Sequence, residues 1–200
     1  HEHEEEGEHH DEHEHEEVHT MDDGHDHDMT EFDPHTWLSI HNMEKMTEEI
    51  LEHLVELYPE NKELFEANAK AYIEKLEILE GKYETKLNNC EHSEIIVNHK
   101  AFSYIGDEYE FEQVSVAGFS PESEPSPKAI KNVIDEANEH NLKYIFSEGQ
   151  LNTKTVETIA NDIEGEVLEL NPLKLNDNEN YFSIMEGNLN NLVIGLNCSN

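Results

Sequence analysis

The stretch at residues 94–117 reads EIIVNHKAFSYIGDEYEFEQVSVA and gives the clearest indication of the fold class. It opens with an apolar run that predicts a strand at 94–98, continues with a helical pattern at 100–107 and ends in a second strand at 111–117. A strand, a helix and a strand in succession favour two parallel neighbours joined by a crossover. The stretch therefore indicates an α/β domain.

The same alternation continues to the end of the chain. The predicted elements are a helix from Pro127 to about Glu139 capped by Ser126, strands at 144–147 and 166–170, and helices at 152–162 and 180–196. This order predicts a mostly parallel sheet flanked by helices. Ligands of such folds bind at the carboxyl ends of the strands.

Two helical patterns precede this domain. Asp33 can cap a helix and Pro34 suits its first turn, and apolar residues at helical spacing continue this helix to about Tyr58. Pro59 opens a second, longer pattern that fades near Asn88. The second helix is long enough to bridge two lobes.

Residues 1–31 differ in composition from the rest of the chain. The first 30 contain fourteen acidic residues and no lysine, and their nine histidines are His1, His3, His9, His10, His13, His15, His19, His25 and His27. Such a segment cannot fill a core, so we expect it to be disordered. Unprotonated imidazoles among carboxylates can collect metal ions with low affinity, and a solvated acidic tail is the alternative.

The formal charge of -36 comes from 48 acidic residues against 12 lysines, with no arginine. A surface without basic patches argues against nucleic acid and anionic membranes as partners, and its negative charge favours cations. Nothing at the amino terminus resembles a signal peptide. Cys90 and Cys198 could form a disulfide or stay free, because oxidation depends on a compartment that composition does not identify.

His35 and His99 are the candidate metal ligands. His35 falls in the first turn of the first predicted helix, and His99 follows a predicted strand with only Asn98 between. Rigid element ends can hold an imidazole nitrogen about 2.0–2.1 Å from Zn²⁺. A lone histidine at such a boundary is also often a cap or a surface residue, so neither position establishes a site by itself.

Five short motifs place these histidines in a longer pattern. They are DPHTWLS at 33–39, HKAFSY at 99–104, FSEGQ at 146–150, LNPL at 170–173, and Tyr181 with Met185 and Asn188. In order and approximate spacing they resemble the zinc and manganese solute-binding proteins of ABC importers, over residues 32 to about 196. The histidine-rich segment just before the first motif is typical of the zinc branch of that family.

The resemblance implies a two-lobed protein with the metal in the cleft and one rigid helix joining the lobes. It divides the chain into the disordered segment at 1–31, a remnant of the amino-terminal lobe at 32–58, the linker helix at 59–89 and the carboxyl-terminal α/β lobe at 90–200. It also implies that most of the first lobe, with one more histidine ligand, precedes this chain.

By motif matching, His35 and His99 would be metal ligands. Glu148 and Glu124 would lie beside the cleft, where we interpret them as supporting the site rather than binding the ion. Asn171 stands in a motif where many relatives carry a carboxylate. A neutral amide is a poorer ligand than a carboxylate, which favours Zn²⁺ over Mn²⁺ as the cargo.

The sequence therefore predicts an extracytoplasmic, membrane-anchored monomer that binds Zn²⁺ and delivers it to an ABC permease without catalysis. Two other functions stay open: a metal buffer or sensor whose main site is the histidine-rich segment, and a zinc hydrolase with Glu148 as base. No phosphate loop, nucleophile elbow or zinc-protease helix motif is present, which favours a binding protein. Because imidazoles must lose a proton to bind metal, we expect affinity to fall below about pH 6.

Overall fold

The computed structural model describes residues 32–118, 125–148, 153–174 and 179–199. The nine histidines between His1 and His27, and Glu124, lie outside the described residues. The roles expected for them stay predictions.

Four strands form one parallel sheet in the order β2-β1-β3-β4. The strands are β1 at Glu94–Val97, β2 at Glu112–Ser115, β3 at Tyr144–Ser147 and β4 at Glu166–Glu169. All three pairings of neighbours are parallel, so the predicted α/β class is confirmed. Parallel pairing places the carboxyl ends of all four strands at one edge.

The α-helices are α1 at Ile40–Leu57, α2 at Lys62–Leu87, α3 at Ser103–Tyr109, α4 at Pro127–Glu139, α5 at Thr153–Asp162 and α6 at Tyr181–Gly195. Short 3-10 turns precede α1 and α2, at Thr36–Leu38 and Pro59–Asn61. Across the described ranges, no helix combines the length and the apolar character needed to cross a membrane.

Both faces of the central strands β1 and β3 are buried, which explains their continuous apolar residues. In β1, Ile95 and Val97 belong to the core shared with α2, α3 and α6, whereas Ile96 belongs to the core shared with α4 and α5. In β3, Phe146 and Ile145 divide in the same way. Side chains alternate between the faces of a strand, so helices on both sides are required to cover them.

The start of the first helix differs from its prediction. Asp33 does not cap α1, and His35 does not lie in its first turn. The Asp33 Oδ1 atom instead accepts a hydrogen bond from the His35 N–H at 2.9 Å. The chain then makes the 3-10 turn, and α1 begins after Ser39, whose Oγ accepts from the Asn42 N–H at 3.1 Å.

The helix that follows β1 also begins later than predicted. The backbone N–H of Lys100 donates to the Gly118 carbonyl, and that of Phe102 donates to the Gln113 side chain. These two N–H groups are thus bonded to β2 and to the segment that follows it, and α3 begins only at Ser103.

Cys90 and Cys198 form a disulfide, which answers the question that the sequence left open. The bond joins the segment after α2 to the segment after α6 across 108 residues of sequence. It therefore ties the long helix to the end of the α/β domain.

Candidate metal centre

The centre lies at the carboxyl edge of the sheet, where β1 and β3 are neighbours. His99 follows the end of β1 by two residues, and Glu148 directly follows β3. The two side chains are buried, and the Nδ1 atom of His99 contacts the Oε1 atom of Glu148. Glu148 therefore lies behind the ring of His99.

His35 reaches this edge from the segment before α1. Its Nδ1 atom lies 2.7 Å from Asp33 Oδ1. The Tyr104 hydroxyl donates to the Asp33 carbonyl at 3.1 Å, and the Trp37 indole N–H donates to the Pro172 carbonyl at 3.2 Å. These bonds fasten the segment that carries His35 to α3 and to the loop after β4.

The two histidines face each other through their Nε2 atoms, which are 3.4 Å apart. Two nitrogens that occupy corners of a tetrahedron around Zn²⁺ are separated by about 3.3–3.4 Å, given Zn–N distances of about 2.0–2.1 Å. The pair thus has the spacing of two zinc ligands. Only 8% of His35 and 1% of His99 are exposed, so both rings are held by packing.

Each ring has a carboxylate at its other nitrogen. Asp33 lies at Nδ1 of His35, and Glu148 lies at Nδ1 of His99. A carboxylate at this position orients the ring and favours the tautomer that carries the proton on Nδ1. Both lone pairs are thereby directed to the space between the histidines.

The electrostatics favour a neutral ring at His99. Burial lowers the pKa of His99 to about 4; the positive charges of His35 and Lys174 act in the same direction, and Asp33 opposes them. The Nε2 lone pair is therefore available at neutral pH. Protons should compete with a metal at His99 only as the pH approaches about 4, lower than the value of about 6 expected for an ordinary imidazole.

Asn171 does not point its side-chain oxygen at the histidines. Its Oδ1 atom accepts from the Lys174 N–H at 2.7 Å, and Asn188 binds its backbone N–H and carbonyl at 2.8 and 2.9 Å. Asn171 thus shapes the loop that presents Lys174. The Lys174 ammonium group lies 3.6 Å from Glu148 Oε2.

Two residues near the centre were not identified by sequence reasoning. Asp33 was interpreted as a helix cap, although its place two residues before a candidate ligand was a usable signal. No sequence pattern indicated Lys174, because its position near Glu148 depends on the course of a loop. Within the described parts of the chain, no third His, Cys or carboxylate places a ligand atom within 4.8 Å of both Nε2 atoms.

The chain is similar in sequence to known zinc-uptake proteins. Residues 1–195 match the family described as zinc-uptake complex component A, periplasmic, or ZnuA. The chain is 38% identical over 166 residues to the high-affinity zinc uptake system protein ZnuA of Bacillus subtilis, and 36% identical over 172 residues to the zinc-binding lipoprotein AdcA of Streptococcus pneumoniae. These matches cover 80% and 83% of the chain.

A solved structure shows the same fold. The Zn(II)-bound ZnuA-like domain of Streptococcus pneumoniae AdcA is similar to this chain with a TM-score of 0.73 and 34% identity, over 84% of this chain and 66% of that one. The chain spans 52% of the length of the Bacillus subtilis relative and 34% of that of AdcA. It therefore corresponds to part of each of these proteins.

Proposed function

Because the chain belongs to the periplasmic zinc-uptake complex component A family, we propose that it captures Zn²⁺ between His35 and His99 and delivers it to an ABC transporter. One observation carries this proposal. Two buried imidazoles face each other with their Nε2 atoms 3.4 Å apart, and each has a carboxylate at its Nδ1 atom.

Zn²⁺ is the cargo in this proposal, and it undergoes no chemistry. His35 and His99 supply two corners of a tetrahedral shell, and water or ligands from the rest of the protein complete it. Asp33 and Glu148 hold the rings and offset part of the charge of the ion. Separation of the two histidines would release the ion, because each histidine alone is a weak ligand.

Substitution of each histidine tests the site. The background is the full chain with the nine histidines of residues 1–31 replaced by Asn, so that binding there does not obscure the result. His35→Ala and His99→Ala should each weaken zinc binding at least about tenfold in competition with a chelator. His53→Ala, an exposed histidine on α1, is the control and should bind like the parent; equal affinities in all four proteins would contradict the site.

The histidine-rich background also separates this function from metal buffering. If residues 1–31 only collect zinc, replacing their nine histidines lowers the number of ions bound but leaves one tight site. If the tight site disappears with them, the chain is a buffer and His35 and His99 are not its principal ligands. Loading the same proteins with Mn²⁺ should give weaker binding, because nitrogen ligands favour zinc.

We propose that the chain works outside the cytoplasm. The Cys90–Cys198 disulfide supports this location, because such bonds persist in oxidising compartments. Alkylation of intact cells without reductant should leave both cysteines unmodified. Zinc uptake into vesicles that carry the cognate permease should require the protein that contains this chain, as a monomer, and should be lost with His35→Ala.

We also propose that α2 connects two lobes, with residues 32–58 in the first, 59–89 in the linker and 90–200 in the second. The carboxyl-terminal half of α2 buries Leu76, Leu79 and Tyr83, whereas Leu64 near its start is 58% exposed. A helix that packs on α1 near its start and enters the core of the α/β domain with its other half is suited to such a connection. Spin labels at positions 62 and 86 should stay about 36 Å apart with and without zinc, and shortening on zinc binding would contradict a rigid linker.

A further inference from the structure

A second group of metal-binding side chains lies away from the histidine pair. The Nδ1 atom of His140 is 2.7 Å from Glu94 Oε2, and its Nε2 atom is 3.8 Å from Glu136 Oε1. Within the described ranges, these are the only three His, Cys, Asp or Glu residues whose ligand atoms all lie within 4.8 Å of one another. We propose that Glu94, Glu136 and His140 form a surface site for Zn²⁺ or a similar divalent transition metal.

The three residues stand on regular elements. Glu136 and His140 are four residues apart at the end of α4, so they share one face of the helix, and Glu94 begins β1. His140 directly follows α4, and its N–H donates to the Glu136 carbonyl at 3.0 Å, which ties it to the last turn of the helix. The site therefore has little backbone freedom to lose when it binds an ion.

The local electrostatics favour a cation with more than one charge. The carboxyl end of a helix carries partial negative charge, and the last turn of α4 has no basic residue. Glu94 lies opposite Glu112 in the pairing of β1 with β2, and both line a depression with Asp107 and Glu110. A protonated His140 supplies a single positive charge to this surface, whereas a divalent ion supplies two.

One carboxylate oxygen of Glu94 could bind a metal ion. This oxygen, Oε2, is buried and accepts no well-directed hydrogen bond, although it lies close to His140 Nδ1. A buried carboxylate oxygen without a directed partner is costly, and a metal ion would satisfy it. One imidazole nitrogen with two carboxylate oxygens suits Zn²⁺, Co²⁺ or Cu²⁺ better than Mg²⁺ or Ca²⁺.

This site is separate from the histidine pair. Glu94 opens β1, and His99 lies beyond its other end. At about 3.3 Å per residue the two positions are about 16 Å apart along the strand, so they share no ligand. Because His140 is exposed, whereas His35 and His99 are buried, zinc should bind here more weakly than at the histidine pair.

The test follows the imidazole signal of His140 by NMR in the full chain labelled with ¹⁵N-histidine, as ZnCl₂ is added. The signal is identified by its loss in His140→Gln. Zinc should shift it in the parent and in His35→Ala/His99→Ala, which shows that it is independent of the central site. Glu136→Gln should require at least about tenfold more zinc for the same shift.

Glu139→Gln is the matched control, because it removes the same charge from the same turn of α4 at an exposed position outside the group. It should titrate like the parent. The proposal is overturned if zinc leaves the His140 signal unmoved, or if Glu136→Gln and Glu139→Gln titrate alike; the group is then only an ion pair. Loss of the shift in His35→Ala/His99→Ala alone would also overturn it.

Discussion

Lys174 places a positive charge beside a candidate site for a positive ion. Its ammonium group lies 3.6 Å from Glu148 Oε2 and lowers the pKa of His99. Removing this charge in Lys174→Met should strengthen zinc binding, because the ion then meets less repulsion and Glu148 keeps its full negative charge. The side chain is 48% exposed and so partly screened by solvent, which limits the expected gain to about two- to fivefold, or about 0.5–1 kcal/mol.

Two other lysine variants separate local charge from total charge. Lys174→Arg keeps the charge and should bind zinc like the parent. Lys128→Met lowers the net charge equally at an exposed position on α4 and should also leave the affinity unchanged. A gain in Lys128→Met as large as that in Lys174→Met would show that only the overall charge matters.

His99 should make the stability of the metal-free chain depend on pH. Its folded pKa of about 4 is below the ordinary value of 6.5, so between these values the unfolded chain binds a proton that the folded chain does not. The free energy of unfolding contributed by His99 is therefore fully present above pH 6.5 and is lost as the pH falls towards 4. The slope is at most about 1.4 kcal/mol per pH unit.

Urea denaturation between pH 4 and 7.5, with a chelator present, measures this contribution. Other groups also titrate in this range, so the informative quantity is the difference between the parent and His99→Gln. That difference should shrink as the pH falls. A parallel course for the parent and His99→Gln would mean that His99 titrates normally in the folded chain.

At the scale of elements, α6 is fitted closely to β3. A Cβ atom at Gly195 would lie 2.3 Å from the ring of Phe146, which is buried two residues before Glu148. Gly195→Ala should therefore destabilise the chain by about 1–3 kcal/mol. Phe146 belongs to β3, so displacing its ring should also shift Glu148 and the neighbouring His99. Gly195→Ala should therefore weaken zinc binding as well.

Gly187 provides the control on the same helix. A Cβ atom there meets nothing within 4 Å. Gly187→Ala should stabilise α6 by about 0.5–1 kcal/mol, because alanine loses less backbone entropy than glycine in a helix. Thermal unfolding and zinc competition for both variants check the pair, and a shift of the same sign in both would mean that close packing at Gly195 is not the cause.

The sequence predicted elements better than it predicted their boundaries. Apolar runs bounded by turns identified all four strands, and Ser126 before Pro127 identified the start of α4, because these signals are local. The start of α1 was wrong because Asp33 binds the His35 N–H, and local pattern does not distinguish this from a cap. The contact of His99 with Glu148 depends on β1 and β3 being neighbours, which the sequence did not predict, and the approach of Lys174 depends on the course of a loop.

In the whole molecule, the net charge destabilises the folded state and the disulfide stabilises it. A formal charge of -36 destabilises any compact state through self-repulsion. Each bound Zn²⁺ ion offsets only two of these charges. Added salt should therefore stabilise the metal-free chain, which urea denaturation at about 0.02 and 0.5 M NaCl would measure; equal midpoints would show that the charges are already well separated.

The disulfide stabilises the folded state against this repulsion. Cys90 and Cys198 close a loop of 108 residues that contains the whole sheet. Closing a loop of this length restricts the unfolded chain, and the expected stabilisation is about 4–5 kcal/mol in the chain-entropy model. Cys90→Ser/Cys198→Ser should lower the free energy of unfolding by that order, and dithiothreitol should have the same effect on the parent but none on the variant. Because Cys90 precedes the amino end of β1 and His99 lies beyond its carboxyl end, the folded variant should keep the parent's zinc affinity at 10 °C. Weaker binding by a variant that is still folded would mean that the bond positions the centre as well as stabilising the fold.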